Sequence, residues 1–481
     1  MTVAEGRDEG SPVLIRAAAD ALVRGRNVLA VEVHQVTAEN PDLSFDCELV
    51  ATSRAEPAFV TRGPYLQSVG SKGATICWRT DVATASSVHY GKKGPRSLGK
   101  VVTVSAKSTD HQIRIPVATA DSLQFYAVGD GTVKLAGGDR KHSFRTNTEK
   151  GTVKPLRVWV IGDSGTGGDG TGRAEAVRNA FVRASDFRTP DLWLMLGDNA
   201  YEMGTDAEYQ GAVFETYRKL LPNTPLWPTL GNHETLTPAV PYFSIFALPT
   251  QAEAGGLASG TERYYSFDQA NVHFVCLDSM TSSREPGSPM LTWLTNDLAA
   301  TSQRWIVAYW HHPPYSKGSH DSDVETELVE MRKNVVPILE NHGVDLVLAG
   351  HSHSYERSVL LDGHYGTSDT LTPAMIRNGG DGQEFGDGAY TKFTKTRAGA
   401  VYTVCGVSGK VGGGTLNHPV MVEFPPSAPS DPPSPAPRGL LEFGSMILDI
   451  EGDQLDARFL NSAGEERDSF TILKPTAVAG P

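Results

Sequence analysis

The sequence predicts an α/β region preceded by an all-β module. From about residue 155 onward, short apolar runs alternate with helical stretches, the texture of α/β folds. Across residues 56–148, strand-like runs recur at spacings of about 8–12 residues, as in β-sandwiches. Gly (49) and Pro (30) are plentiful, which favours short strands and many loops over a helical bundle.

Along the chain, residues 1–55 open with a helical stretch, VLIRAAADALV. Two alternating runs follow, RNVLAVEVHQV and LSFDCELVA. Two strands cannot bury an independent core, so this segment reads as a partial β segment, the remnant of a jelly-roll carbohydrate-binding-like domain. It is the one candidate here for a carbohydrate contact. Residues 56–150 form the next unit. The runs YLQSV, ATICWRT, SSVHYG, HQIRIPVA, LQFYAVGD and KHSFRTN suit an immunoglobulin- or fibronectin-like module, with Trp78 in its core. Residues 151–475 form the third unit. Helices are expected in GRAEAVRNAFVRASDF, TDAEYQGAVFETYRKLL, MLTWLTNDLAA and DVETELVEMRKNVVPILENHG. The Pro-rich stretch 419–438 is expected to be an irregular loop.

Composition narrows the function. At 481 residues, about three domains are expected. With 39% hydrophobic and 21% charged residues the chain is globular, not disordered. The formal net charge of −13 repels a phosphate backbone at long range. That argues against coating of nucleic acid but leaves room for a local cationic site. No apolar run reaches the ~18–20 residues of a membrane helix. Cys47, Cys77, Cys276 and Cys405 are dispersed and no CxxC occurs, which points to buried thiols and away from a thiolate zinc site. The start MTVAEGRDEG has neither a basic n-region nor an apolar h-region, so no signal peptide is expected in it.

The chemistry lies where the apolar runs of the third unit stop. LRVWVIG is followed by Asp163, and DLWLMLG by Asp198 and then Tyr201. LWPTLG is followed by Asn232 and His233, RWIVAYW by His311 and His312, and VDLVLAG by His351 and His353. Ligands bind beyond the carboxyl ends of strands in open α/β sheets, so neighbouring ends of this kind would converge their side chains on one place. Gly before a ligand removes Cβ bulk and permits a sharp turn out of the strand. Carboxylates, an amide oxygen, imidazoles and a phenol, with no thiolate, suit Fe, Zn or Mn. Asp198, on the most apolar run, is the candidate bridge between two ions, which sit about 3.5–4 Å apart in two-metal hydrolytic sites.

The blocks GDSG (162–165), GDNAY (197–201), GNHE (231–234), HHPPY (311–315) and GHSHSYER (350–357) resemble the metallophosphoesterase (calcineurin-like) superfamily, and within it the purple acid phosphatases. The resemblance spans roughly residues 57–475. It implies a metallophosphoesterase β-sandwich flanked by helices, with a fibronectin type III-like domain before it. It implies Fe(III) on Asp163, Asp198, Tyr201 and His353, and Fe, Zn or Mn on Asp198, Asn232, His311 and His351. His311 rather than His312 follows from the family's H-x-P turn. The implied activity is hydrolysis of small-molecule phosphate monoesters, with a metal-bound hydroxide as nucleophile. The same centre would also serve a phosphodiesterase or nucleotide pyrophosphatase, and residues 1–55 alone hint at a cell-surface binding protein.

His233 is expected to hydrogen-bond the phosphate or the nucleophile, and His320 to protonate the leaving oxygen. Some relatives carry a second His after the latter position; here Asp321 stands there. Glu234 and Arg357 are expected to support the ligands. The Gly-rich loop CGVSGKVGGG (405–414) is not a phosphate-binding P-loop and reads as a structural return to the site. Substrate choice is expected in loops 166–172, 282–289, 316–322 and 362–398. The resemblance favours an extracytoplasmic or secreted protein.

Overall fold

In the computed structural model, residues 58–186, 188–236, 238–424 and 436–475 are described. The jelly-roll reading of residues 1–55 and residues 425–435 of the Pro-rich stretch lie outside them.

Alternating burial builds the first sheet. Strands β1 (Val60–Gly70), β2 (Gly73–Gly91), β3 (Lys100–Pro116), β4 (Leu123–Gly129), β5 (Lys134–Gly137) and β6 (Ser143–Arg145) pair antiparallel. Leu66, Ile76, Val88, Ile113, Tyr126 and Phe144 form its own core. Trp78 is buried there and stacks on the His111 ring at 4.7 Å. His111 is held by Thr80 Oγ1 (2.8 Å) and Ser86 Oγ (2.7 Å). Strands β1 and β2 also fasten the sheet to the rest of the chain. Arg62 and Arg79 converge on Asp206 at 2.9 and 2.6 Å, the Tyr65 hydroxyl donates to Ile245 O, and Gln67 Nε2 donates to Leu226 O. The described residues form one compact unit.

Two further sheets stack face to face. One contains β7 (Leu156–Ile161), β8 (Leu192–Met195) and β9 (Leu226–Pro228), paired in parallel. It continues through β19 (Gly444–Glu451), β20 (Gln454–Asn461) and β21 (Glu466–Leu473) to β17 (Tyr390–Thr391). The other runs β10 (Tyr265–Gln269), β11 (Val272–Cys276), β12 (Trp305–Trp310), β13 (Leu346–Ala349), β18 (Val401–Cys405) and β14 (Tyr355–Arg357). Its strands β11, β12, β13 and β18 are parallel. A small ribbon, β15 (Leu360–Leu361) with β16 (Ile376–Asn378), lies beside it in sequence.

The period of two decides what each strand face meets. Along β12, Trp305, Val307 and Tyr309 join the core between the sheets. Ile306, Ala308 and Trp310 pack with the outer helices instead. Those helices are α2 (Pro289–Ala300) and α3 (Val336–His342), contributing Leu291, Leu294, Leu298 and Leu339. On the opposite flank, α1 (Arg173–Ala184) buries Ala174, Val177, Ala180 and Phe181, spaced as one helix face. Phe181 stacks on Trp159 of β7 at 4.5 Å. The result is a β-sandwich flanked by helices, and parallel strands of both sheets end on one rim. Cys77, Cys276 and Cys405 are free and buried, as their apolar surroundings imply.

One histidine without a sequence motif proves to be a structural ion. His273 in β11 is 1% exposed and lies between Asp268 Oδ1 (2.9 Å) and Asp297 Oδ2 (2.8 Å). Burial alone would lower its pKa, but the two carboxylates more than offset this and raise it to about 9. A raised folded-state pKa stabilises the fold fully below the unfolded value near 6.5, and that gain is lost as pH rises through 9. Wild-type stability is therefore expected to fall by about 3 kcal/mol between pH 6.5 and 9.5. Denaturant titrations across this range should show the slope, and His273→Asn should flatten it.

Candidate metal centre

All five strands expected to carry ligands exist, and their ends share the rim. Asp163 follows β7, Asp198 follows β8, Asn232 follows β9, His311 follows β12 and His351 follows β13. Three of these residues turn the chain themselves. Asp163, Asp198 and His351 have φ of 55°, 50° and 66°. Left-handed backbone is uncommon for residues with a Cβ, though Asp and His tolerate it better than most.

The glycines before the ligands remove Cβ bulk as expected, but most of them do not make the turn. Only Gly197 has the positive φ (91°) that a turn requires. A Cβ there would also strike the His311 ring, at 2.5 Å. A Cβ on Gly350 would lie 2.5 Å from Asp163 Oδ2, and one on Gly231 would overlap Asp198. Gly197 and Gly350 let strand ends from two sheets approach each other, Gly231 does so for neighbouring strands of one sheet, and Asp163, Asp198 and His351 absorb the turn.

The seven residues expected as ligands come together. The Tyr201 hydroxyl donates to Asp163 Oδ1 (3.3 Å) and Asp198 Oδ2 (3.2 Å). His353 Nε2 is 3.5 Å from Asp163 Oδ1. His311 Nε2 faces Asn232 Oδ1 at 2.9 Å and Asp198 Oδ1 at 3.5 Å. His351 Nδ1 lies 3.0 Å from the same amide oxygen and 3.2 Å from His311 Nε2. Asp163, Asp198 and His311 are almost wholly enclosed.

The donor chemistry fits a cation. His311 Nδ1 donates to Leu196 O at 2.8 Å, so in the neutral ring Nε2 carries a lone pair. That lone pair points at an amide oxygen and a carboxylate oxygen. Acceptors aimed at one another repel unless a proton or a metal ion lies among them. His312 does not join this group. Its Nδ1 meets Ser279 Oγ at 3.0 Å, and its ring packs 4.3 Å from His351.

His233 and His320 flank the cluster on opposite sides. His233 Nδ1 donates to Glu202 O (2.6 Å), which leaves Nε2 3.8 Å from Asp198 Oδ2. His320 stacks on His351 at 3.7 Å, and its Nδ1 meets Glu325 Oε2 at 2.8 Å. The same oxygen is 3.6 Å from His351 Nε2. Burial would raise the Glu325 pKa, but hydrogen bonds from His351, the Asp321 N–H and His320 hold it at about 2. Asp321 itself pairs with Lys317 at 2.6 Å.

Three participants had no signal in the sequence pattern. Glu325 sits five residues after His320, with no motif around it. Lys410 comes from the Gly-rich loop. That loop does return to the site, where a Cβ on Gly412 would crowd His353. It also brings Lys410 Nζ over the Tyr201 ring, 3.6 Å from its centroid, and 3.1 Å from both carboxylate oxygens of the exposed Glu202. Glu356 is buried and accepts from Ser316 Oγ (2.6 Å), Ser354 Oγ (2.8 Å) and Lys317 N (3.0 Å), tying the His320 loop to the HSH segment. Arg357 makes a buried two-pronged bridge to Asp468 at 2.6 and 2.9 Å, joining β14 to β21.

Glu234 has the largest supporting role. Its carboxylate accepts the N–H groups of Gly231 (2.6 Å), Asn199 (2.7 Å), Asp198 (3.0 Å) and Ala200 (3.3 Å). It thereby clamps the turn after β8 to the turn after β9. Burial and the neighbouring Asp198 push its pKa up to about 8. Glu234→Gln would turn an amide NH2 toward backbone N–H donors. It is expected to cost about 2–3 kcal/mol and to lower bound metal in the purified protein, read by calorimetry and elemental analysis.

Comparison with known proteins names this architecture. Residues 156–355 match the calcineurin-like phosphoesterase family. Probable purple acid phosphatase 20 of Arabidopsis thaliana is 28% identical over 366 residues, covering 71% of this chain and 78% of that protein. Purple acid phosphatase 18 of the same plant is 30% identical over 346 residues, covering 67% and 71%. The fold resembles that of purple acid phosphatase PPD1 from yellow lupin (Lupinus luteus) seeds, with a TM-score of 0.61 at 17% identity over 87% of this chain and 77% of that one. The chain belongs to the purple acid phosphatase family and is a metal-dependent phosphoester hydrolase.

Proposed function

We propose that the rim holds a dinuclear metal centre that hydrolyses phosphate monoesters. One observation carries the proposal: the Nε2 lone pair of neutral His311, fixed by its Nδ1 bond to Leu196 O, meets Asn232 Oδ1 at 2.9 Å and Asp198 Oδ1 at 3.5 Å, three acceptors converging beside His351. Asp163, Asp198, Tyr201 and His353 would hold Fe(III). Asp198, Asn232, His311 and His351 would hold Fe, Zn or Mn, with Asp198 shared. When bound, such a pair supplies an acidified water near neutral pH and positive charge to offset that of the phosphoryl oxygens. Asn232 is a neutral ligand, so the ligand set leaves the centre a net positive charge toward a dianion.

The chain's own groups complete the chemistry. His233, fixed by Glu202 O, turns Nε2 inward, where the imidazolium would donate to a phosphoryl oxygen. Lys410 adds a cation on the same side, its ammonium balanced by Glu202. Across the site, Glu325 orients His320 through Nδ1, which leaves Nε2 to hand a proton to the departing oxygen. The segment 56–150 would serve as a fibronectin type III-like module, and the protein would work outside the cytoplasm. Among the described residues, no helix is long and apolar enough to cross a membrane.

The experiment is a paired assay of p-nitrophenyl phosphate and bis(p-nitrophenyl) phosphate across pH 4–9, before and after metal stripping. Monoester turnover should dominate and should be lost with the metal; dominant diester turnover would replace this reading with the phosphodiesterase one. His320→Ala should lower kcat about 10²-fold for alkyl phosphates with poor leaving groups while sparing p-nitrophenyl phosphate. Equal losses on both would remove His320 as the proton donor.

A further inference from the structure

A second charged site lies on the first sheet, away from the metal centre. The loop after β2 and the loop after β5 meet at one end of the sheet, where a Cβ on Gly138 would contact Pro95 O. Between them is a groove of about 580 Å³, lined by Lys93, Arg96 and Arg140 together with backbone around Gly94 and Gly138. Lys92 and Lys141 extend from the same two loops, Lys100 opens β3 beside them, and all six cations are exposed. None forms an ion pair with a carboxylate among the described residues.

Asp139 is the one carboxylate in the groove lining, and it is already engaged. Its Oδ1 accepts the N–H groups of Lys141 (2.8 Å) and His142 (3.1 Å) and contacts His142 Nδ1 at 2.8 Å. These bonds also fix the shape of the second loop. Ser97 N donates to Gly94 O at 3.0 Å and closes the first.

Six like charges on two touching loops and the adjoining strand end repel each other, so the arrangement favours an anionic counterpart. The chain carries a net charge of −13, but exposed charges beyond about 8–10 Å are largely screened at physiological salt. The local field therefore stays positive. A single phosphate would engage two or three of these cations and leave the others uncompensated. A chain of closely spaced oxyanions would engage the groove and its flanks together. The lysines act as point charges on flexible stems and the two guanidinium forks match phosphate or sulfate oxygens, all over an open surface, which suits charge density rather than a defined sugar or base.

We propose that this groove binds a flexible linear polyanion carrying phosphate or sulfate groups, and so holds the enzyme on a polyanionic matrix. The inference does not depend on the metal-centre reading. The test is binding of fluorescent long-chain polyphosphate and of heparin to the whole protein at 50, 100 and 200 mM salt. With all six cations engaged, affinity should fall about 2,000-fold across that range, from a slope of ~0.9 per neutralised charge, against about 40-fold or less where three or fewer are engaged. The triple variant Lys93→Glu, Arg96→Glu, Arg140→Glu should lose the binding and keep p-nitrophenyl phosphate turnover and its melting temperature. Asp198→Asn, which disables the metal site, should keep the binding, so capture of polyphosphate by the metals is distinguished. Binding of heparin alone, polyphosphate alone or both supports the groove and names the source of the anion. No binding at 50 mM salt, undiminished binding by the triple variant, or retention only on phosphatidylserine vesicles would overturn it.

Discussion

The catalytic rim depends on one backbone constraint. Asp163, Asp198 and His351 must leave their strands in the left-handed region while their side chains still face the same crevice. Such conformations cost of order 1–3 kcal/mol each and persist only where their surroundings hold them. Glu234 does so for Asp198 by gathering four N–H groups from two turns. Asp163 does so for His351 by accepting its N–H at 2.8 Å. One candidate ligand thus holds another in place, and the two sheets cannot separate at this rim without undoing the site.

Much of this was legible in the sequence because strand ends advertise themselves. An apolar run that stops at Gly and then shows Asp, Asn or His marks both a strand and its functional end. What could not be read was the partition of those ends. β7, β8 and β9 lie in one sheet and β12 and β13 in the other, so the crevice sits between layers. That partition explains why the glycines matter as contact points. Only a structure shows that the Gly197 position abuts His311 from the facing sheet.

The residues that escaped notice share a physical reason. Glu325, Lys410 and Glu356 act through contacts 26, 208 and 40 residues away, to His351, Glu202 and Ser316, and no local period or spacing encodes these. His273 is similar: a lone histidine on a strand is ordinary until two carboxylates from β10 and α2 close around it. The cationic groove was legible only as a composition fact, KKGPR and DRKH standing out in an acidic chain. Their adjacency is a property of the strand order, in which β2, β4 and β5 lie side by side.

The same convergence that prepares the rim for cations burdens the fold. Buried carboxylates and lone pairs aimed at one another raise the free energy of the folded chain. The scaffold offsets this with donors it controls: the Glu234 clamp, the Tyr201 hydroxyl between Asp163 and Asp198, and the N–H of His233 on Asp198 Oδ1 at 3.0 Å. Farther out, buried bridges such as Arg357–Asp468, and Lys392 with Lys474 on Asp345, lock strand pairs that the rim alone could not hold. A bound cation would supply the remaining compensation, since anything that binds the folded chain and not the unfolded one stabilises it in proportion to its affinity. Catalytic readiness and folding stability are therefore set by the same few oxygen and nitrogen atoms, and a substitution that relaxes the repulsion among them would be expected to stabilise the empty fold at the expense of the metal site.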